Sequence, residues 1–230
     1  NAYGTTSNGR TNCSSSSGRP VPLPDLLIER ALEPAQDAVL EHLVSIGTGR
    51  AMTVLGDTLG TRLRARRPRV RFVAVADERT VPGADHEDPW MGVGSTMHGP
   101  MDAHAAALLP RSSADYLLSR VGADGPRIQD DTIRTEAMAV EISHVVLGAV
   151  LEGLRPVLPD RRWFSHPAPT DESGHWWRAV RQRAVGGIRA SIVIEDSEHD
   201  LAAEFLLLTG PRALDVFLLA LEELATEVAP

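Results

Sequence analysis

The chain has 230 residues, of which 43% are apolar and 23% are charged, and its formal net charge is −8. This length and composition suit a single α/β domain, and no apolar run reaches the roughly 20 residues that cross a bilayer. The acidic balance argues against nucleic acid as the main partner, because binding to phosphates needs a basic face. We therefore expect a cytoplasmic protein whose partners include neither a membrane nor a nucleic acid.

Two residue types restrict the possible chemistry. All 23 basic residues are arginine, so no lysine of this chain can form a Schiff base or serve as a P-loop lysine. Cys13 is the single cysteine, which excludes a disulfide within the chain and a zinc site built from several cysteines. Pyridoxal-phosphate chemistry on a lysine is therefore excluded for these residues.

The start of the chain predicts a leader followed by a helix. Residues 1–22 are rich in Asn, Ser, Thr and Gly and are typical of a flexible leader. Residues 23–230 then form a single α/β domain, with a possible subdivision near 155–170, where prolines concentrate. The first helix consists of two pieces, 25–32 and a second piece that begins near Pro34, because proline is tolerated in the first turn of a helix.

A strand, a glycine turn, a helix and a second strand are predicted next. The apolar run 43–46 ends in Gly47-Thr48-Gly49 and is short enough to be a strand. A helix follows over 51–66, with leucines at helical spacing. Residues 70–76 are the clearest strand of the sequence, and Asp77 closes it.

The middle of the chain is predicted to be a loop followed by helices. Residues 79–102 are rich in Gly, Pro, Asp and His, and loops of this length are often functional. Helices are expected at 103–109 and 112–121. A long helix over 130–154 follows them.

The last third combines strands and helices in a small C-terminal part. A short helix is predicted over 172–184 and a strand over 188–195. Residues 201–208 fit a strand that pairs with it, with a helix as the alternative. The amphipathic helix 211–227 packs on the sheet or forms the seam of a homodimer. Together these elements predict an α/β, Rossmann-like three-layer sandwich with a mostly parallel sheet.

The glycine turn is the strongest candidate for a ligand site. Glycines let the backbone approach a ligand, and the following helix directs free N–H groups and a positive dipole end at it. Gly47, Thr48, Gly49 and Arg50 would therefore bind the phosphate of a nucleotide or small metabolite. Asp77 at the end of the second strand would accept hydrogen bonds from a ribose.

Two family resemblances rest on this stretch. Ile46-Gly47-Thr48-Gly49-Arg50 with Phe72-Val73-Ala74-Val75-Ala76-Asp77 resembles the NAD(P)-binding half of the Gfo/Idh/MocA oxidoreductases. That resemblance implies NAD(P) as cofactor, with the glycines on its pyrophosphate. The helix, strand and G-x-G-R turn are also similar to the sugar isomerase (SIS) phosphosugar-binding domains. The second resemblance implies that Ser95, Thr96 and Arg50 hold a sugar phosphate, with His98 nearby in the substrate site.

Histidines and carboxylates suggest further chemistry. His86, His98 and His104 lie among several aspartates and could hold a divalent metal ion, although a solvated polar loop also explains them. Glu141 and His144 form an E-x-x-H pair on one face of the long helix, which fits a metal site or a hydrogen-bonded histidine at a helix interface.

The functional expectation has two branches. The first is binding of a phosphate-bearing nucleotide or metabolite at the glycine turn, as in an NAD(P)-dependent oxidoreductase. The second is a non-catalytic ligand-sensing or interaction domain, such as the effector domain of a regulator.

Overall fold

The computed structural model describes residues 32–75, 88–99, 101–120, 131–159, 163–170 and 175–228. The predicted leader 1–22, Asp77 and His86 lie outside these residues, as does nearly all of the first helical piece. None of the described helices is long and apolar enough to cross a membrane.

The described chain contains five α-helices and eight strand segments. The helices are α1 (Pro34–Leu59), α2 (Arg111–Arg120), α3 (Asp131–Gly153), α4 (His175–Arg183) and α5 (Pro211–Val228). The strands are β1 (Arg64–Ala65), β2 (Arg69–Ala74), β3 (Trp90–His98), β4 (Ala103–Pro110), β5 (Trp163–Phe164), β6 (Ala168–Pro169), β7 (Gly186–Glu195) and β8 (Asp200–Thr209). A 3-10 turn, Arg155–Val157, follows α3.

All described strands belong to one sheet, and every pairing among them is antiparallel. The order is β1-β7-β8-β4-β3-β5, with β2 also paired to β7 and β6 also paired to β3. The predicted Rossmann-like sandwich with a mostly parallel sheet is therefore wrong. A parallel sheet needs helical crossovers between neighbouring strands, whereas here β3–β4 and β7–β8 are consecutive hairpins.

The two halves of the described chain repeat one order of elements. A long helix, two short edge segments, a hairpin and a closing helix occur first as α1, β1–β2, β3–β4 and α2. They recur as α3, β5–β6, β7–β8 and α5, with α4 inserted before the second hairpin. Each pair of edge segments joins the hairpin of the other half, so the two halves interlock along the sheet.

Helix α1 replaces the predicted strand and glycine turn, so that prediction is wrong. The chain is helical from Pro34, the predicted start of the second piece, through Gly47 and Gly49 to Leu59. Its buried positions follow helical spacing, and they include small residues as well as leucines: Leu40, Leu43, Val44, Gly47, Thr48, Ala51, Met52 and Leu55. The short apolar run 43–46 is thus one part of a longer helical pattern.

Gly47 and Gly153 let α1 and α3 cross closely. A Cβ atom on Gly47 would lie 2.6 Å from the carbonyl oxygen of Ala149 and from the Cα of Val150. A Cβ on Gly153 would lie 2.5 Å from the carbonyl oxygen of Leu43. Because these neighbours are backbone atoms, they cannot move aside cheaply, and the crossing tolerates only glycine at both positions.

The main core lies between this helix pair and one face of the sheet, which we call the first face. Residues that alternate along β7 and β8 point into it, among them Ile188, Ile192, Phe205 and Leu207. Helices α2 and α5 complete the layer, with Phe217 of α5 buried in the same cluster. Burial of this apolar area is the main force that holds the helices on the sheet.

The opposite or second face carries a smaller cluster. Ala106, Leu108, Leu206 and Leu208 pack there against Val180 of α4, and the cluster also receives Trp176 and Trp177. Strand β4 is consequently buried on both faces. The predicted helix 103–109 is therefore wrong: an alanine-rich segment with high helix propensity is a central strand, because small side chains fit between two packed layers.

Some of the other predicted elements are wrong and some are confirmed. The predicted loop 79–102 is wrong over residues 90–98, which form β3, where Gly94 leaves the space that the Trp176 ring occupies. The strand predicted over 70–76 is confirmed as β2. The helix predicted over 51–66 is wrong beyond Leu59, where α1 ends, because residues 64–65 form β1. The other predicted elements are confirmed with small shifts at their ends as α2, α3, α4, β7, β8 and α5.

Gly47 and Gly49 should respond in opposite ways to alanine. Gly47→Ala forces apart the backbones of α1 and α3 and is expected to destabilise the fold by about 1–3 kcal/mol. A Cβ at Gly49 meets no described atom within 4 Å, so Gly49→Ala is expected to stabilise the helix by about 1 kcal/mol and raise Tm by about 2–4 °C. Thermal unfolding followed by circular dichroism measures both variants. Equal effects of the two substitutions would contradict the helical assignment.

Candidate functional site

The residues of the predicted glycine turn do not form a turn. Gly47 and Thr48 are buried within α1, while Gly49 and Arg50 lie on its exposed side. The Thr48 hydroxyl donates a hydrogen bond to the Ser45 carbonyl oxygen at 3.1 Å, within the same helix. In the middle of a helix the backbone N–H groups are already bonded to the preceding turn. This stretch therefore offers no free amides to a phosphate.

Strand β3 places the predicted substrate residues on opposite faces of the sheet. The buried Ser95 hydroxyl donates a hydrogen bond to the carbonyl oxygen of Ser165 at 2.9 Å, on the side of α3. Thr96 faces the other way, and its cross-strand neighbour is His104 of β4. Because successive residues of a strand point to opposite faces, Ser95 and Thr96 cannot contribute to one site.

A pocket of about 690 Å³ lies on the second face, where β3 ends and β4 begins. We call it the basic pocket. It is lined by Thr96, His98, Asp102, His104, Arg183, Gly210, Pro211, Arg212 and Ala213. Three separate parts of the chain thus meet there: the β3–β4 hairpin, the last turn of α4 and the first turn of α5.

His104 is the most buried titratable group of the basic pocket. Its residue is 7% exposed, its Nδ1 lies 3.3 Å from the Thr96 hydroxyl oxygen, and its ring meets the Trp176 ring edge-on at 6.4 Å. Burial lowers the pKa of this imidazole below its usual value, and the nearby charges of Arg183 and His98 lower that pKa further. Asp102 opposes this shift, but its side chain is 80% exposed.

Two of the three predicted metal ligands, His98 and His104, lie within the described residues. His98 and His104 line the same pocket, and Nδ1 of His98 lies 3.9 Å from a carboxylate oxygen of Asp102. Across the described residues, no group of three or more His, Cys, Asp or Glu side chains is arranged to hold a metal ion. The third predicted ligand, His86, lies outside those residues, so the set His86, His98 and His104 stays a prediction.

A second candidate is a pair of concavities on the first face that meet at Glu152 of α3. We call them together the α3 surface. The smaller one, about 220 Å³, lies between α3 and the segments β5–β6. It is lined by Ser95, His144, Leu147, Gly148, Leu151, Glu152, Phe164 and Pro167.

The larger concavity of the α3 surface, about 580 Å³, lies between α1 and the end of α3. Its lining combines the exposed apolar side chain of Ile46 with the arginines Arg50 and Arg155. Phe164 is also partly exposed, at 38%, so apolar side chains lie at both ends of the α3 surface. A mixture of exposed apolar groups and arginines is typical of protein interfaces.

Gly148 is an unusual residue for the α3 surface. It is exposed in the middle of α3, and a Cβ atom there would meet no described atom within 4 Å. A glycine inside a helix costs about 1 kcal/mol relative to alanine. Unlike Gly47 and Gly153, Gly148 has no close neighbour within the described chain that requires a glycine.

Comparison with solved structures finds this fold in FliY and in complexes that contain FliM. FliY from Thermotoga maritima is 14% identical, with a TM-score of 0.58 over 84% of this chain and 98% of that chain. A chain of the FliG–FliM complex from H. pylori is 11% identical, with a TM-score of 0.56 over 81% of this chain and 99% of that chain. A chain of the FliM–SpeE complex from H. pylori is 11% identical, with a TM-score of 0.55 over 84% of this chain and 97% of that chain.

This chain has the fold of FliY and FliM. No protein-family model and no curated protein sequence matches it. The resemblances to the Gfo/Idh/MocA oxidoreductases and to the sugar isomerase domains are therefore wrong, since both predict a parallel sheet with a glycine turn at Gly47. The predicted binding of a nucleotide or phosphosugar at that turn, and with it the oxidoreductase function, is wrong for the same reason.

Sequence reasoning missed the residues that only the fold brings together. Arg183 and Arg212 lie far from the β3–β4 hairpin in the chain, and nothing in their local sequence marks them. Gly148 could have been noticed, because an isolated glycine within a strong helical pattern often has a packing or functional reason.

The buried His104 is expected to make stability depend on pH. Its pKa in the folded protein is lowered, so below about pH 6.5 the unfolded chain binds a proton that the folded chain does not. The contribution of His104 is thus fully present above that pH and decreases as the pH falls below it. Urea unfolding between pH 7.5 and 5 should show this decrease, and His104→Gln should remove part of it. An NMR titration in which His104 protonates at or above pH 6.5 would contradict the prediction.

Proposed function

We propose that this chain is a protein-interaction domain that binds a protein partner on the α3 surface. The observation that carries the proposal is Gly148, an exposed glycine inside a helix at the floor of a concavity. Gly148 destabilises its own helix, and no contact within the described chain requires a glycine there. A partner that approaches this backbone closely would explain the glycine.

The fold supports the same conclusion. The neighbours with this fold include FliM chains in complexes with FliG and with SpeE, so the fold is used for binding other proteins. The chemistry of the α3 surface fits this use, because Ile46 and Phe164 supply apolar contacts and Arg50 supplies an adaptable cation. The cytoplasmic location and the homodimer considered from the sequence stay predictions.

Photo-crosslinking can test where the partner binds. A benzoylphenylalanine placed at Glu152 lies where the two concavities meet, and Glu198 offers a matched control. Both glutamates are exposed and each forms one surface ion pair, at 3.3 Å with Arg155 and at 3.5 Å with Arg120. Glu198 lies in the β7–β8 turn, at the end of the sheet away from Phe164. In cells of the source organism, one discrete protein should crosslink at position 152 and not at position 198.

The partner identified in this way must then bind the purified chain, and Gly148 must matter for that binding. We expect Gly148→Gln to weaken the affinity by at least about tenfold, which corresponds to about 1.4 kcal/mol, because a side chain fills the space that the partner occupies. Gly49→Ala, at the other open helical glycine, should leave the affinity unchanged. Calorimetry measures both. Equal crosslinking at positions 152 and 198, or binding that is indifferent to Gly148→Gln, would overturn the proposal.

A further inference from the structure

The basic pocket is separated from the α3 surface by the sheet. The partition follows from β3, where Ser95 points to the α3 surface and Thr96 to the basic pocket. The basic pocket and the α3 surface are therefore distinct sites, and the charge of the pocket is independent of Gly148.

The charge of the basic pocket is opposite to that of the whole chain. The protein carries a net charge of −8, yet the described residues that line this pocket include two arginines and two histidines beside one aspartate. The arginines stay charged at every physiological pH. The carboxylate among these described lining residues, Asp102, has a side chain that is 80% exposed, so it neutralises the interior only weakly.

Within the described part of the chain, the charged groups of the pocket come from several separate elements around His104. Strand β3 contributes His98, the residues before β4 contribute Asp102, α4 contributes Arg183 and the first turn of α5 contributes Arg212. Such convergence of cations from separate elements costs electrostatic repulsion, and an anion in the pocket would relieve it.

We propose that the basic pocket binds an acidic segment of a protein partner, with a carboxylate between Arg183, Arg212 and His104. This inference rests on the proposed interaction function and names the chemistry of a second contact. A carboxylate accepts charge-assisted hydrogen bonds from guanidinium groups. The apolar wall formed by Pro211 and Ala213 suits the aliphatic part of a glutamate or its neighbour.

The test uses defined probes on the intact, ¹⁵N-labelled chain. Acetylated hexaglutamate, acetylated hexaglutamine and inorganic phosphate are titrated separately at neutral pH, and amide chemical shifts are followed by NMR. We expect saturable shifts at Thr96, His104, Arg212 and Ala213 with hexaglutamate alone. Phosphate that produces the same shifts at equal or lower concentration would overturn the proposal, because the pocket would then be a site for small anions.

The variants separate a specific pocket from general attraction to arginine. The double variant Arg183→Gln with Arg212→Gln should bind hexaglutamate at least about tenfold more weakly, since two charge-assisted contacts are lost. The matched control is Arg181→Gln, which removes an exposed arginine of the same helix that does not line the pocket. We expect it to change the affinity by less than about twofold. An equal loss in the control variant would overturn the pocket assignment.

The two proposals fail in distinguishable ways. If the crosslinked partner loses affinity with Gly148→Gln but binds the Arg183→Gln and Arg212→Gln variant normally, and hexaglutamate does not bind, the inference about the pocket alone is wrong. If hexaglutamate binds as expected while no protein crosslinks at position 152, the proposal that a partner binds the α3 surface is wrong, and the proposal for the basic pocket is supported.

Discussion

The close crossing of α1 and α3 is the contact on which the rest of the described fold depends. Both helices lie on the first face of the sheet, and each contributes a stripe of buried residues to the same core. They can share that face only because Gly47 and Gly153 bring the two backbones together. A wider separation would move α3 away from β3 and β4 and would open the core, since interiors are close-packed and tolerate few voids.

The crossing also determines where the candidate sites lie. With α3 held against β3, its exposed side and the segments β5–β6 enclose the smaller concavity of the α3 surface. The hairpin β3–β4 presents its other face to α4, and the basic pocket forms there beside the first turn of α5. The period of two along β3 assigns Ser95 to one site and Thr96 to the other. Two chemically different surfaces, one mixed apolar and one basic, therefore lie on opposite sides of one sheet.

The glycines of this protein illustrate why residue type alone does not reveal a function. Gly47 is required because the backbone of α3 touches it, whereas Gly49, two residues later, has open space around it. In the sequence the two form a G-x-G pattern that resembles a phosphate-binding turn. The pattern arises here because one glycine serves helix packing and the other lies on the exposed side of the same helix.

Several elements could be predicted from the sequence because their signals are local. The amphipathic spacing in α3 and α5, proline at the start of α1 and α5, and the β-branched run in β7 act within a few residues.

The order of strands, the helical state of residues 43–49 and the strand state of 103–110 depended on distant partners. Leu43, Gly47 and Ala106 take their conformations from α3 and from packed layers, which local propensity does not contain. The same holds for the basic pocket, because Arg183 and Arg212 join His104 only after the hairpin and two helices have docked. Local patterns along the chain therefore specify most of the helices and the strands β2, β7 and β8, whereas contacts between distant segments specify the strand order and both candidate sites.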